Sequence, residues 1–528
     1  MGSRPSSRAT DAAFFLPILS GLLAQASFPR LSFGFLAWVA LTPLVFFLAR
    51  CRRLRSAFLG GLLHGLAQFF PLLIWIPPVL AQFGGVPAPA AWLLYALMIL
   101  YLACYPAAAA ALTVAAARAA PRLQLFALPF VWVALELVRN YALFGGFPWL
   151  QLGYSQTELL PLAQIADVTG VYGVSFLVVW VNAALVFALV ERRAGGRALL
   201  PLAAGAAAVA LCAVYGTAAL RRWDRVEPSM TAALLQGNIA LDDADPLSAW
   251  KFGQGYLEMA GTLGGRPVDL AVLPESPVSA SFERDPEYGA VVRRLASRFP
   301  LGAIFNNTGA GEPGREERWF NSAYFVSSRG EAVGRYDKVH LVPFGEYVPL
   351  RRVFFFAESI TRDVGDFTPG ASVHPVAVDG HRVGAIICFE AVFPELSRML
   401  VKGGAELLVN LTNDAWYGRS AAPYQHLAMA RWRAIENRRY LLRAANSGIS
   451  AVVAPSGRIV HRSGLFTRET LLGDFAFLND HTFYTRRGDL FALACAIISA
   501  GIGAGVVLAR PGSRSKPEGG NGSARRTA

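Results

Sequence analysis

His381-Arg382-Val383-Gly384-Ala385-Ile386-Ile387 runs without a break into Cys388-Phe389-Glu390. The first seven residues predict a strongly apolar strand, and the strand stops at a cysteine. Downstream, Pro394–Lys402 predicts a helix, 406–410 a second short strand and 426–440 a long helix. Upstream, Met230–Gln236 reads as a strand, 249–263 as a helix, and 269–273 as a short buried strand ending at Pro274-Glu275. A helix over 288–299 and a strand over 301–306 follow, then paired strands over 321–327 and 331–336. Short apolar strands alternating with helices argue an α/β domain whose sheet faces are covered. The chain carries no glycine-rich dinucleotide fingerprint, Walker loop, internal repeat or zinc-type Cys/His spacing.

Outside this domain the composition changes. The 528 residues are 54% hydrophobic and 16% charged, whereas soluble domains average about 25% charged. The apolar residues concentrate in 12–219 and 489–509, and 226–485 has ordinary globular composition. The net charge of +13 does not mark a nucleic-acid binder, because the arginines flank apolar segments. That is the pattern of topogenic charge.

A membrane span needs about 20 apolar residues. Eight candidates are legible: 12–28, 32–49, 57–81, 90–117, 123–143, 162–190, 198–219 and 489–509. Arg50, Arg52, Arg53 and Arg55 follow the second; Arg118 and Arg122 separate the fourth from the fifth; Arg192, Arg193 and Arg197 separate the sixth from the seventh. Arg4 and Arg8 mark the N-terminus, and Arg510, Arg514, Lys516, Arg525 and Arg526 the tail. The alternate loops hold Arg30 and, over 82–89, no basic residue. The positive-inside rule then puts both termini in the cytoplasm and the 226–485 domain on the opposite face. Arg221, Arg222 and Arg225 oppose this, but they lead into a large translocated domain, where the rule weakens. Ala24-Gln25-Ala26 also reads as a signal-peptidase site, which would remove one span and leave the others oriented as before. Within the spans, Glu136 and Arg139 stand three apart and read as a structural ion pair, while Asp167, His64 and Gln68 stay ambiguous.

Of the five cysteines, Cys51, Cys104, Cys212 and Cys495 lie in or beside spans, and Cys388 is alone in the outward domain. A free cysteine is often an inert packing residue. A thiol between a strand end and a helical turn instead meets backbone N–H groups and a positive dipole end, which predicts a lowered pKa and oxyanion donors. Such a nucleophile needs a base. His340, His374, His381 and His426 sit in no convincing motif. Two other segments fit better: Leu273-Pro274-Glu275, a carboxylate at a strand end, and Tyr336-Asp337-Lys338 with Pro343-Phe344-Gly345-Glu346 after it. Lys338 is one of four lysines against 45 arginines, which hints at a use for a compact ammonium. Taken singly, Glu275 or Lys338 reads better as half of a surface ion pair.

Together and in this order, Leu-Pro-Glu275, Tyr-Asp-Lys338 and Ile-Cys388-Phe-Glu resemble the Glu-Lys-Cys triad of the nitrilase superfamily. An outward domain of this kind between seven spans and an eighth resembles the apolipoprotein N-acyltransferases, the membrane-embedded branch of that superfamily. Leu235-Gln236-Gly237-Asn238-Ile239, Asn410-Leu411-Thr412-Asn413-Asp414-Ala415-Trp416-Tyr417-Gly418, Arg433-Ala434-Ile435-Glu436 and the loop Gly146-Phe147-Pro148-Trp149-Leu150-Gln151 through Gln156 are similar to family segments. The resemblance covers nearly the whole chain except its tail. Phe389 departs from it, since tyrosine often follows the nucleophile there, while the neighbouring Glu390 is kept.

The resemblance implies an α/β nitrilase-like sandwich (αββα) inserted in an eight-helix transmembrane bundle. The divisions would be a seven-helix part over 1–225, a periplasmic catalytic domain over 226–485, an eighth helix over 486–510 and a disordered cytoplasmic tail over 511–528. It implies an inner-membrane acyltransferase that N-acylates the diacylglyceryl-cysteine of apolipoproteins from a phospholipid, with phosphatidylethanolamine the expected donor. Cys388 would carry the acyl group as a thioester, Glu275 would move protons, Lys338 would hold the oxyanion and Glu346 would orient Lys338 or the substrate. No metal or cofactor is needed, and a monomer suffices. Arg351-Arg352-Val353-Phe354-Phe355-Phe356 has the basic-aromatic character of an interfacial segment. Trp416 and Tyr417 are candidates for a substrate gate or for ordinary packing, and Trp250 is a weaker candidate for the donor pocket. A membrane-anchored amidase, with water as acceptor, and a transporter with an outer regulatory domain are the competing readings. Eight spans exceed what an anchored amidase needs, and the spans offer few polar groups for transport.

Overall fold

Met230–Gln236 (β1) alternates its side chains between two buried layers: Ala232 and Leu234 join one apolar cluster, Ala233 and Leu235 another. A strand with both faces covered needs a layer on each side. The computed structural model describes residues 7–117, 124–240, 248–276, 281–311, 318–347 and 367–508. After β1 come β2 (Leu270–Val272), β3 (Ala303–Ala310), β4 (Trp319–Val326), β5 (Ala332–Asp337), β6 (Val376–Val378) and β7 (His381–Ile387). The series closes with β8 (Leu407–Thr412), β9 (Leu441–Ala445), β10 (Ala451–Val453), β11 (Ile459–Arg462) and β12 (Glu469–Phe475).

These strands form two six-stranded sheets, ordered β12-β1-β2-β3-β4-β5 and β11-β10-β9-β8-β7-β6. Leu234, Val272 and Phe325 of the first sheet pack against Ala385, Ile387, Val409 and Leu442 of the second. Each such fully buried Leu or Ile contributes about 2 kcal/mol of transfer free energy. The helices Ser248–Gly261 and Pro286–Ala296 cover the first sheet through Tyr256, Leu257, Tyr288 and Val292. Pro286–Ala296 starts where Asp285 accepts hydrogen bonds from the N–H groups of Glu287 and Tyr288, with Pro286 in the first turn. The helices Pro394–Lys402 and Ala422–Asn437 cover the second sheet through Leu400, Val401, Leu427 and Ala430. The result is the expected αββα nitrilase-like sandwich.

The helical part shares a core with the sandwich. One apolar cluster runs from Tyr95, Val178 and Trp149 to Phe389, Phe393, Met429 and Trp432, so the outer face of Ala422–Asn437 rests on the bundle. Trp432 donates to Thr157 Oγ1 at 2.9 Å, and buried Arg438 donates to Asp167 Oδ2 at 2.6 Å. Asp167, ambiguous in sequence, is thus half of an ion pair between the two parts.

Among the described residues, four helices are long and apolar enough to cross a membrane: Ala88–Ala116, Val171–Val190, Gly195–Trp223 and Leu490–Leu508. Leu54–Leu72 and Ile76–Gln82 make a fifth if their 52° bend is counted within one span. The uninterrupted span expected over 57–81 therefore breaks, in a stretch carrying Pro71, Pro77 and Pro78. The span expected over 162–190 breaks too: Leu160–Ala163 and Ala166–Thr169 are separate short helices, and Gly170, at φ +63°, turns the chain into Val171–Val190. Phe14–Ala26 and Gly34–Arg50 are shorter apolar helices. Glu136 and Arg139 do not form the ion pair expected of them. Glu136 Oε1 accepts instead from Trp132 Nε1 at 3.1 Å and the Leu152 N–H at 2.8 Å, while the Arg139 guanidinium lies over the Phe69 ring.

Candidate active site

Parallel pairing of β7 with β8 sets Ile387 opposite Leu411, so Cys388 leaves the second sheet beside Thr412, the last residue of β8. β2, parallel to both β1 and β3, ends in the first sheet just before Leu273-Pro274-Glu275. Residues at the carboxyl ends of parallel strands are free of the ladder and point at whatever binds there. Lys338 follows β5 directly, and its N–H is held by the Asn321 carbonyl at 2.8 Å. The sandwich thus brings Glu275 and Lys338 from one sheet and Cys388 from the other to one place. All three are at least nine-tenths buried.

The charged groups are tightly bonded. Lys338 Nζ donates to Glu346 Oε1 at 2.8 Å and lies 3.8 Å from Glu275 Oε1. Asn321 Nδ2 donates to both carboxylates, to Glu275 Oε1 at 3.0 Å and Glu346 Oε1 at 2.7 Å. The Asn413 N–H donates to Glu275 Oε2 at 3.0 Å, and the Val342 N–H to Glu346 Oε2 at 2.8 Å. Burial raises the Glu275 pKa above the usual glutamate value, opposed by the Lys338 charge and reinforced by Glu346. Burial alone would depress Lys338, but Glu346 and Glu275 outweigh it and keep the ammonium charged. Burial also raises the Cys388 thiol, with the Glu275 charge adding to it and Lys338 opposing. This reverses the lowered thiol pKa expected from the strand-to-helix position. Only a five-residue 3-10 turn, Cys388–Val392, follows the strand, and desolvation exceeds what it supplies. A neutral thiol facing a carboxylate of raised basicity is the arrangement for general-base activation rather than a resting thiolate.

Cys388 itself is held in the left-handed region at φ +47°, unusual for a residue with a side chain. Glu390, fully buried, clamps the turn: its Oε1 accepts from Tyr336 Oη and the Val339 and His340 N–H groups at 2.8–3.1 Å, and its Oε2 accepts from the Ile387 N–H at 2.9 Å. Phe389 points toward the bundle, against Trp149 and Phe393. Tyr417 packs edge-on against Trp75 at 4.9 Å, and Trp416 edge-on against Phe83 at 4.9 Å, so the Asp414–Tyr417 turn docks on the bundle. Trp250 falls on Ser248–Gly261, with its side chain outside what is described. The basic-aromatic segment 351–356 and the tail after Arg510 lie outside the described residues. Among the described residues no cluster of three His, Cys, Asp or Glu is placed to hold a metal ion.

Three participants went unseen in the sequence. Asn321, read only as opening a strand, ties Glu275 to Glu346. Asn413, inside a quoted segment, holds Glu275 through its backbone. His426, set aside for want of a motif, donates from Nε2 to the Cys388 carbonyl at 3.0 Å.

A family model described as the apolipoprotein N-acyltransferase N-terminal domain matches residues 20–184, and one described as carbon-nitrogen hydrolase matches residues 231–477. An apolipoprotein N-acyltransferase of Geobacter metallireducens is 38% identical over 506 residues, covering 94% of this chain and 94% of the relative. One from Methylococcus capsulatus is 35% identical over 510 residues, covering 94% of this chain and 96% of the relative. Among solved structures, Saccharomyces cerevisiae Nit3, a member of branch 10 of the nitrilase superfamily, is 20% identical with a TM-score of 0.37, covering 47% of this chain and 90% of that one.

Proposed function

The chain belongs to the apolipoprotein N-acyltransferase family, and from that membership we propose that it N-acylates diacylglyceryl-cysteine apolipoproteins in two steps through a thioester on Cys388. The supporting observation is the buried meeting of Glu275, Lys338 and Cys388 at the ends of β2, β5 and β7. In the first step Glu275 takes the proton from Cys388 Sγ, and the sulfur attacks the ester carbonyl of a phospholipid, of which phosphatidylethanolamine is the donor we favour. The oxyanion is held by Lys338 and by N–H groups of the Cys388–Val392 turn, whose first donors have no partner within the turn. As the C–O bond breaks, Glu275 returns the proton to the leaving lysophospholipid oxygen. In the second step the α-amine of the acceptor attacks the thioester and loses a proton to Glu275. The C–S bond breaks, an amide forms, and the proton passes back to the thiolate. Ester is exchanged for amide, so no nucleotide is required, and ping-pong kinetics follow.

Glu346 fits a role in fixing the Lys338 ammonium, and Glu390 one in fixing the turn, given the bonds each makes. Trp416 and Tyr417 sit where the domain meets the bundle, which supports a role at the substrate entrance. Trp250 stays a candidate for the donor pocket on its sequence position alone. The arginine pattern supports eight spans, made up by the shorter and bent helices, with boundaries at 1–225, 226–485 and 486–510. It also supports an inner-membrane enzyme with its catalytic domain in the periplasm and both termini in the cytoplasm, and the chemistry, which needs no second subunit, is consistent with a monomer.

Intact-mass spectrometry after incubation with phosphatidylethanolamine tests the chemistry. The expected result is one added acyl group, absent in Cys388→Ala, which a diacylglyceryl peptide removes onto its own amine. Discharge by water alone would make the protein a lipid hydrolase. Folded Cys388→Ala with full activity would end the thioester mechanism.

A further inference from the structure

His426, Asp414 and Arg443 form a charged and polar cluster with no exposure at all, beside the nucleophile and apart from the Glu275–Lys338 pair. His426 Nδ1 lies 3.0 Å from Asp414 Oδ1 and 3.2 Å from Arg443 Nη2. Arg443 Nη2 donates to Asp414 Oδ2 at 2.7 Å, and Nη1 donates to Asn410 Oδ1. Asn410 Nδ2 in turn donates to the Ile386 carbonyl at 3.0 Å. From this braced base His426 Nε2 reaches the Cys388 carbonyl at 3.0 Å. A carbonyl oxygen only accepts, so Nε2 carries the proton. The other side of the ring is walled by Trp149, centroids 5.8 Å apart, and by Tyr417 at 6.3 Å.

We infer that His426 is a positioning residue for acyl transfer, its Nε2–H holding the Cys388 carbonyl and so fixing the left-handed backbone that presents both Sγ and the N–H groups of the following turn. Three observations carry this. Cys388 is the residue whose backbone is strained, at φ +47°. Its carbonyl is turned into a buried space where His426 is the donor. The histidine is held from its far side, because with the proton on Nε2 its Nδ1 accepts from Arg443 Nη2, which is itself tied to Asp414, and Trp149 and Tyr417 pack beside the ring. His426 touches no reacting atom, and its effect passes through the peptide of Cys388. Strained backbone at a functional position persists only where the surroundings over-determine it. The inference rests on Cys388 being the nucleophile.

The test compares His426→Gln with His426→Asn in the full chain, in detergent. Glutamine can set its amide donor where Nε2 stood and keep the bond to Cys388; asparagine sets its amide near Nδ1, beside Asp414 and Arg443, and cannot reach the Cys388 carbonyl. Acyl-enzyme formation from phosphatidylethanolamine is followed by mass, with the thermal midpoint alongside. We expect His426→Gln to acylate within about fivefold of the parent and His426→Asn about 100-fold more slowly, the cost of a nucleophile about 1 Å out of place. The half-saturating donor concentration should stay unchanged in both. A merely structural histidine would move the midpoint and leave the rate of the folded fraction alone. Equal rates in the two folded variants, high or low, overturn the inference. A second reading uses the parent chain labelled with 15N-histidine: the signal that shifts when Cys388 is alkylated must show a protonated Nε2. An Nδ1–H tautomer there overturns the assignment even if neither variant folds. Failure of Cys388 to acylate in the parent would instead sink the thioester reading, which separates the two.

Discussion

Trp149 of the helical part stacks on Phe389 of the catalytic domain, their ring centroids 6.3 Å apart and their planes 22° from parallel. Phe389 adjoins Cys388, so the bundle reaches to within one residue of the proposed nucleophile. Trp149 is also tied to the domain by its Nε1, which donates to Gln425 Oε1 at 2.9 Å. Trp149→Ala should cost about 3–5 kcal/mol of stability from lost packing and slow acyl-enzyme formation. Trp149→Phe, which keeps the ring and loses the hydrogen bond, should fall between. Thermal melts and the acylation rate, read together, check this order.

In the proposed mechanism Glu275 must be ionised to accept the thiol proton, and burial raises its pKa above the usual 4.5. Acylation should therefore fall with decreasing pH through a midpoint higher than that of an ordinary glutamate. Glu275→Gln should remove that limb and cut the rate about 10³-fold, within the range for a lost general base. A single-turnover pH profile on preformed enzyme–lipid mixtures reads both effects.

Lys338 stands between two buried carboxylates. In Lys338→Met their charges would be left uncompensated, a loss of about 3–5 kcal/mol, and the oxyanion would lose its cation. Lys338→Arg should also be inactive, because a planar fork does not fit where a compact ammonium is gripped at 2.8 Å by Glu346. Activity in Lys338→Arg within tenfold of the parent would contradict that account.

Gly146 has φ +96°, and a Cβ there would come within 1.8 Å of the Asn140 carbonyl oxygen. That contact is with backbone, so nothing small can give way. Gly146→Ala should displace the loop that delivers Trp149, lower the thermal midpoint and reduce acylation together. Gly196→Ala, where a Cβ meets nothing within 4 Å, is the control and should leave both unchanged.

Asp414 is buried, which alone would raise its pKa, but the charges of Arg443 and His426 prevail and bring it down to about 2 from 3.8. A carboxylate whose folded pKa is depressed stabilises the fold above its unfolded pKa and ceases to as pH falls through the folded value. The shift corresponds to about 2 kcal/mol at neutral pH, lost between roughly pH 4 and pH 2. Asp414→Asn should be less stable at pH 7 and should lack that part of the acid decline, measured by denaturant midpoints across the range.

The strands β2 and β7, which lead to Glu275 and Cys388, were legible because each is a short apolar run followed by a chemically distinct residue, and β1, β7 and the helix Pro394–Lys402 fall where the pattern puts them. The long helix begins at Ala422, four residues earlier than its apolar pattern suggests. Pro423 reads as a breaker yet sits in the first turn, where a missing N–H costs nothing. It ends at Asn437 because Arg438 turns left-handed at φ +52°, with no glycine to announce it. That early end frees Leu441–Ala445 to be a strand, which the predicted helix ran up against. Asn321 and His426 were hidden for another reason. Their partners lie 46 and 38 residues away: Asn321 meets Glu275 within the first sheet, and His426 meets Cys388 where the helix Ala422–Asn437 packs on the second. The thiol's raised pKa was misjudged because sequence shows the turn at Cys388 but not the depth at which it is buried.

Glu390 accepts from Tyr336, Val339 and His340 on the first sheet's side and from Ile387 on the second's. One carboxylate therefore acts as a rivet through both layers, at the place where the base and the sulfur come from opposite plates. Sliding or parting of the sheets would strip three of these donors, those of Tyr336, Val339 and His340, from a buried carboxylate. Such a joint has no graded response: it holds or it fails. Loss of acyl transfer and loss of the folded sandwich should accordingly arrive as one event along a denaturant series, with no inactive, still-folded state between them.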